Sequence, residues 1–136
     1  MSLRNAYIDI TKRSLCAADA TLNANIQESV GFHSYHAFES IGGALCSFRM
    51  IRYSRNHVTK MNQFVASSRT INISQRNKNM IAALAIQLSS IRNECLYPKE
   101  FPGGTIRLPQ HLVTLNQAVN ILRRVKYITN LIQRHI

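Results

Sequence analysis

The end of the clearest predicted helix carries the side chains best suited to bind an anion. Residues 90–98 are Ser-Ile-Arg-Asn-Glu-Cys-Leu-Tyr-Pro. If Ile91 points into the helix seam, Arg92 lies about 100° from that seam, and Asn93 and Tyr97 lie about 200–240° from it. Asn93 and Tyr97 are also four positions apart and share a face. A guanidinium and a phenol on an outward surface can bind a phosphate and hydrogen-bond a ribose or a base.

A structural role for this stretch is the alternative. An arginine near the C-terminal end of a helix interacts favourably with the helix dipole. A tyrosine before a proline, as in Tyr97-Pro98, commonly packs with only its hydroxyl in water.

The sequence Arg92-Asn93-Glu94-Cys95-Leu96-Tyr97 resembles the motif of the HEPN superfamily. That motif is an Arg, commonly followed by Asn, His or Asp, and then a His after four to six residues near the end of a late helix. The aromatic and polar run from Phe32 to Ser40 is similar to the second helix of family members. HEPN domains are small, all-α and often dimeric, and occur in toxin–antitoxin, abortive-infection and CRISPR systems. The resemblance covers the order of helices over most of the chain.

The resemblance implies a metal-independent endoribonuclease whose two motifs meet across a homodimer. Arg92 would hold the scissile phosphate, with Asn93 beside it, and the family's His would assist attack by the ribose 2′-hydroxyl. Tyr97 stands where that His is expected. A phenol, with an ordinary pKa near 10, is a poor general base at neutral pH, whereas imidazole has a pKa near 6.5. The resemblance therefore implies proton donation or binding for Tyr97.

Two histidines one helical turn apart, His33 and His36, are followed by Glu39. A metal site needs three or four converging ligands, and this chain has only six Asp and Glu residues and no Glu-x-x-His pair. We therefore predict no metal and no cofactor. His33 falls on an apolar stripe and is predicted to lie in the core. We hypothesise that His36 or Glu39 shares a cleft with Arg92 and Tyr97, and that His36 supplies the missing imidazole.

The charge balance favours an anionic partner. The chain has seventeen Lys and Arg residues and six Asp and Glu residues, for a formal net charge of +11. Such a surface attracts polyanions, and RNA is the predicted partner. No helix combines a basic face with bulky aromatic residues, so membrane binding is not predicted. The predicted RNA-binding residues lie around the end of the second helix and in the last helix: Arg49, Arg52, Arg55, Arg123, Arg124 and Lys126.

Helical periodicity dominates the sequence, with apolar residues recurring at steps of three and four. It predicts one all-α domain over residues 1–136, an up-and-down bundle of four to five helices similar to HEPN domains. Pro98 ends the fourth helix, and a Pro- and Gly-rich loop leads to Pro109, which suits a first helical turn. The predicted helices are 3–24, 26–50, 55–69, 74–97 and 109 to the C-terminus.

Apolar residues outside the main seams predict a homodimer. Phe38 and Leu45 in the second helix, and Met80 and Ala83 in the fourth, indicate a second buried face. The small residues 42–44 of the second helix would allow another backbone to come close.

Cysteine usage and segment lengths predict a cytoplasmic protein. Cys16, Cys46 and Cys95 are far apart and form no Cys-x-x-Cys motif, which favours reduced thiols. The N-terminus has no apolar signal segment. The longest apolar run, Met80 to Ile86, is much shorter than the ~20 residues that span a bilayer.

Two functions therefore remain open. The first is an RNA-interacting protein that cleaves RNA, as a toxin-type subunit. The second is a catalytically inactive module of a toxin–antitoxin or defence system, which binds a nucleotide or a protein such as an antitoxin-like partner.

Overall fold

The computed structural model describes residues 1–136, which form six α-helices and one short β-hairpin. The elements are α1 (Leu3–Asn23), α2 (Gln27–Phe48), α3 (His57–Ser68), α4 (Gln75–Leu96), β1 (Lys99–Glu100), β2 (Ile106–Arg107), α5 (Pro109–Leu112) and α6 (Leu115–Gln133). The predicted all-α helical bundle is confirmed.

Side-chain caps begin four of the helices. In each case the capping oxygen accepts a hydrogen bond from the backbone N–H three residues later, which satisfies a donor that the helix leaves free. The caps are Ser2 for α1, Asn56 for α3, Ser74 for α4 and Thr114 for α6.

The centre of the bundle is α2, which packs against α1, α3, α4 and α6. Its second apolar face, predicted to meet another copy of the chain, lies inside this domain. The Phe38 ring centroid is 4.7 Å from that of Phe64 on α3, and Leu45 is fully buried. On α4, Met80 is half-buried and Ala83 is exposed. The face of α2 is therefore not a sign of a dimer.

Two glycines of α2 allow aromatic side chains, rather than a second backbone, to come close. A Cβ atom at Gly42 would lie 2.7 Å from the Phe64 ring and 2.8 Å from the Tyr53 hydroxyl. A Cβ atom at Gly43 would lie 2.8 Å from the Tyr7 ring. Since both contacts are closer than real Cβ atoms tolerate, a side chain at either position would force these rings to shift.

The C-terminal region differs from the single helix predicted from Pro109. The chain turns at Val113, and Thr114 caps a separate helix, α6. The predicted loop 98–108 contains the β1–β2 hairpin, whose turn holds Gly103 and Gly104 at positive φ. None of the helices combines the length and apolar character needed to cross a membrane.

Candidate functional site

Arg92 lies near the C-terminal end of α4 and is half-buried. Its guanidinium carbon is 5.6 Å from the centroid of the Tyr35 ring on α2, within the range of a cation–π contact. Its Nε is buried without a hydrogen-bond partner, and no carboxylate forms a salt bridge with it. The positive charge of Arg92 is therefore not neutralised by direct contact with an acid.

An imidazole faces Arg92 from α3. The first residue of α3, His57, places its Nε2 3.2 Å from Nη2 of Arg92. Asn56 fixes this end of the helix by accepting a hydrogen bond from the Thr59 backbone N–H at 3.1 Å. Since the His57 side chain is 48% exposed, an incoming ligand can reach the ring.

The other nitrogen of His57 contacts a buried carboxylate. Its Nδ1 is 2.7 Å from Oε2 of Glu39, a side chain only 7% exposed. Tyr35 donates its hydroxyl to the same oxygen at 2.5 Å, and Lys60 donates to Oε1 at 3.0 Å. The backbone oxygen of Glu39 accepts from the Tyr53 hydroxyl at 2.7 Å. We call Glu39, His57 and Arg92 the relay, because each contacts the next.

These contacts set the charge on Glu39. Burial alone would favour the neutral acid, but hydrogen bonds from Tyr35, His57 and Lys60 and the charge of Lys60 outweigh it, so the pKa of Glu39 lies below its ordinary 4.5. Burial and the neighbouring Glu39 carboxylate raise the pKa of Tyr35. The Tyr35 hydroxyl therefore stays protonated and remains a donor.

An ionised Glu39 fixes the hydrogen-bonding role of His57. A carboxylate can only accept, so the hydrogen of a neutral His57 ring lies on Nδ1 and a lone pair remains on Nε2. Arg92 donates to that lone pair at 3.2 Å. A ligand that draws the guanidinium away would free Nε2 to accept a proton from the ligand itself.

The relay opens into a cleft of about 250 Å³ between α3 and α4. Its lining is Tyr35, Asn56, His57, Val58, Ser89, Arg92 and Asn93. Asn93, predicted to stand beside Arg92, accepts from Arg92 at 3.3 Å through its side-chain oxygen.

Tyr97 lies outside this cleft. The residue is 58% exposed and lines a separate hollow of about 270 Å³ with Lys99 and Leu112. Asn93 lines both. The structure thus places Arg92 and Tyr97 in neighbouring hollows joined by Asn93, rather than in one.

The structure does not bring His36 to Arg92. Its Nδ1 is 3.3 Å from the hydroxyl of Ser14 on α1, and its ring stacks on Phe32. His33, predicted to lie in the core, is only partly buried. This partial burial and, to a smaller extent, the charge of His36 lower the pKa of His33. No three His, Cys, Asp or Glu side chains are grouped as metal ligands.

Sequence reasoning missed His57. His57 follows the cap residue Asn56, so its position at the start of α3 can be predicted from the neighbouring residues. No spacing rule links it to Glu39 or Arg92, which lie 18 and 35 positions away.

The predicted RNA-binding residues separate into three environments. Arg49, Arg52 and Arg55 are exposed in and around the α2–α3 connection, which leads directly to His57. Arg123 and Arg124 line a hollow between α4 and α6. Lys126 forms an ion pair with Asp19 at 2.6 Å, which offsets its charge.

A shallow apolar groove of about 550 Å³ adjoins the relay cleft. It runs between α3 and α4 and shares Val58 and Ser89 with the cleft. Val58 and Ile86 are 65% and 75% exposed. The main apolar lining residues are Val58, Met61, Val65, Ala82, Ala85 and Ile86.

Comparisons of the chain with protein-family models, curated proteins and solved structures found no match.

Proposed function

We propose that this chain is a HEPN-like RNA-binding protein of the cytoplasm and a toxin-type, metal-independent endoribonuclease. The observation that supports it is the relay: His57 contacts Arg92 through one ring nitrogen at 3.2 Å and buried Glu39 through the other at 2.7 Å. A base oriented by a carboxylate, next to a cation, suits attack on a phosphodiester.

The proposed reaction is an internal transesterification. Arg92 binds the scissile phosphate and stabilises the charge that develops on its oxygens. The freed Nε2 of His57 accepts the proton of the ribose 2′-hydroxyl, whose oxygen attacks phosphorus. The bond from phosphorus to the 5′-oxygen breaks, and that oxygen takes a proton from the protonated His57 imidazole of a second copy. The products are a 2′,3′-cyclic phosphate and a 5′-hydroxyl.

The proposed enzyme is a homodimer formed through the α3–α4 groove. Each relay contains one imidazole, whereas the reaction needs one group to accept a proton and another to supply one. A second copy seated on the groove would bring its own imidazole beside the cleft, because the groove and cleft share Val58 and Ser89. The exposed side chains of Val58 and Ile86 would then be buried.

The test of cleavage uses purified protein and a fluorescent, random-sequence RNA pool in excess chelator. We expect cleavage that ends in 2′,3′-cyclic phosphates, and none on the matching 2′-deoxy pool. Arg92→Ala and His57→Ala should each reduce the rate by about 10²-fold or more. His111→Ala, an exposed histidine of α5, is the control. Equal cleavage by Arg92→Ala and wild type would contradict the proposal.

The test of the dimer is light scattering after gel filtration. Ile86→Lys should give a monomer with reduced cleavage, while Ile106→Lys, at an isoleucine of β2 that is 63% exposed, should remain a dimer. A monomeric wild type would contradict this interface.

The second candidate is a catalytically inactive module, and the exposed apolar groove is the observation that favours it. RNA left intact by a protein that binds it in a salt-dependent manner would support RNA binding without cleavage. A monomer that neither cleaves nor binds RNA would favour an antitoxin-like protein as the occupant of the groove.

A further inference from the structure

The hollow between α4 and α6 is distinct from the relay cleft. Its volume is about 470 Å³, within the range of small-molecule sites. Arg76 lies at the start of α4, and Arg92 lies 16 positions later on the same helix. At 1.5 Å per residue, about 24 Å of helix separates them. The hollow faces α6, whereas the relay cleft faces α3.

Three arginines and no acidic residue line this hollow. The arginines are Arg76, Arg123 and Arg124. The three salt bridges of the chain involve His57, Lys60 and Lys126, so none neutralises an arginine. Like charges held together repel each other, and a bound anion would relieve that repulsion.

The hydrogen bonds of these arginines leave most donors free. Arg124 donates to the neutral Gln87, and Arg123 donates to the neutral Asn120 at 3.4 Å. A guanidinium has five N–H donors and matches phosphate oxygens in pairs. The first turn of α4 contains no acidic residue, so nothing there opposes an anion.

One side of the hollow is apolar and aromatic. Tyr127 is 49% exposed, and its hydroxyl donates to the Asn77 side chain at 3.1 Å, which ties α6 to α4. Met80 lies half-buried beside it. An exposed aromatic ring next to phosphate-binding arginines can stack a nucleobase.

We propose that this hollow binds a nucleotide. Arg76, Arg123 and Arg124 hold its 5′-phosphates, and its base stacks on Tyr127 against Met80. The same chemistry is offered by a free nucleoside triphosphate and by the 5′-triphosphate end of an RNA, so the test has an arm for each.

The experiment measures ATP binding by calorimetry in chelator, on the full chain. Arg76→Gln and Arg123→Gln should each weaken ATP binding about tenfold or more, since each removes a charge-assisted contact. Both arginines are exposed, so the fold should persist. Arg134→Gln makes the same charge change at the exposed end of α6 and should leave affinity unchanged. Equal affinity for ATP in all four proteins would overturn the site.

Base recognition is tested separately. Tyr127→Ala should weaken ATP binding, and Tyr127→Phe should retain it, because the ring alone stacks. Adenosine or tripolyphosphate binding as tightly as ATP would overturn the nucleotide assignment. An RNA with a 5′-triphosphate that displaces ATP better than the same RNA with a 5′-hydroxyl would identify an RNA end as the source. Failure of both RNAs to displace ATP would identify the free nucleotide, whereas equal displacement by both would mean that internal RNA phosphates occupy the hollow and would overturn the nucleotide site.

Discussion

The carboxylate of Glu39 on α2 lies 2.7 Å from Nδ1 of His57 on α3. Glu39 also accepts from Tyr35 and Lys60, so one buried acid joins two helices and orients the imidazole that faces Arg92. The contact therefore serves both the fold and the candidate chemistry, and the two roles are separable by experiment.

Glu39→Gln should reduce both stability and cleavage. The amide retains the shape but loses the charge that pairs with Lys60, so the free energy of unfolding should fall by about 1–3 kcal/mol. Unlike a carboxylate, an amide can also donate to Nδ1 of His57. The substitution would therefore no longer hold the imidazole in the form that has its lone pair on Nε2. Urea unfolding measures the first effect, and the pH profile of cleavage measures the second.

Glu28→Gln, also on α2 but outside this network, is the matched control. A stability loss without any change in the pH profile would make Glu39 a structural residue only.

Stability should fall in acid because of Glu39. Its pKa is lower in the folded chain than the ordinary 4.5, so the unfolded chain binds a proton more readily. The contribution of Glu39 is therefore present above about pH 4.5 and is lost as the pH falls through the depressed folded pKa. Urea titrations from neutral pH to about pH 3 should show this loss. In Glu39→Gln the free energy of unfolding should depend less steeply on pH. An unchanged dependence would mean that other acids cause the loss of stability.

The boundaries of four helices could be predicted from the sequence to within two residues. The predicted ranges 3–24, 26–50, 55–69 and 74–97 correspond to α1 through α4. Apolar spacing and local stop signals such as Pro98 suffice for this, because they depend only on nearby residues. The split between α5 and α6 is also local in origin, since Thr114 is an N-cap, but the helix predicted from Pro109 runs through it without a break.

The candidate site was only partly predictable. Arg92 and Asn93 stand out because their motif is contiguous, and Glu39 because it follows the two histidines. The partnership with His57 depends on how α3 packs against α2 and α4, which no periodicity encodes. Similarly, Phe38 was predicted to face another copy because helix spacing shows that a face is apolar, but not which element covers it.

Gly42→Ala should destabilise the fold. The alanine would gain about 1 kcal/mol of helix propensity. However, its Cβ would lie 2.7 Å from Phe64 and 2.8 Å from the Tyr53 hydroxyl, and overpacking costs about 1–3 kcal/mol. We expect a net loss of up to about 2 kcal/mol, measured by urea unfolding. Ser90→Ala, exposed on α4, is the control; a more stable Gly42→Ala would show that the rings move aside.

The three cysteines should differ sharply in reactivity. Cys16 is exposed, whereas Cys46 and Cys95 are buried. Burial, with smaller effects from Glu94 and Glu28, raises the pKa of Cys95 to about 12, so its reactive thiolate is scarce at neutral pH. A thiol reagent should label one cysteine per native chain and all three in denaturant. Cys16→Ser should abolish the native labelling; rapid labelling that survives this change would mean that a buried site opens.

The final prediction separates the two imidazoles that could serve Arg92. His36 contacts Ser14 on α1, whereas His57 contacts Arg92 directly. His36→Ala should therefore leave RNA cleavage within about twofold of wild type, while His57→Ala should lower it by about 10²-fold or more. Initial rates in chelator, with circular dichroism to verify folding, measure both. The reverse ranking would transfer the proton-transfer role to His36 and would mean that the Glu39–His57 contact only joins α2 to α3.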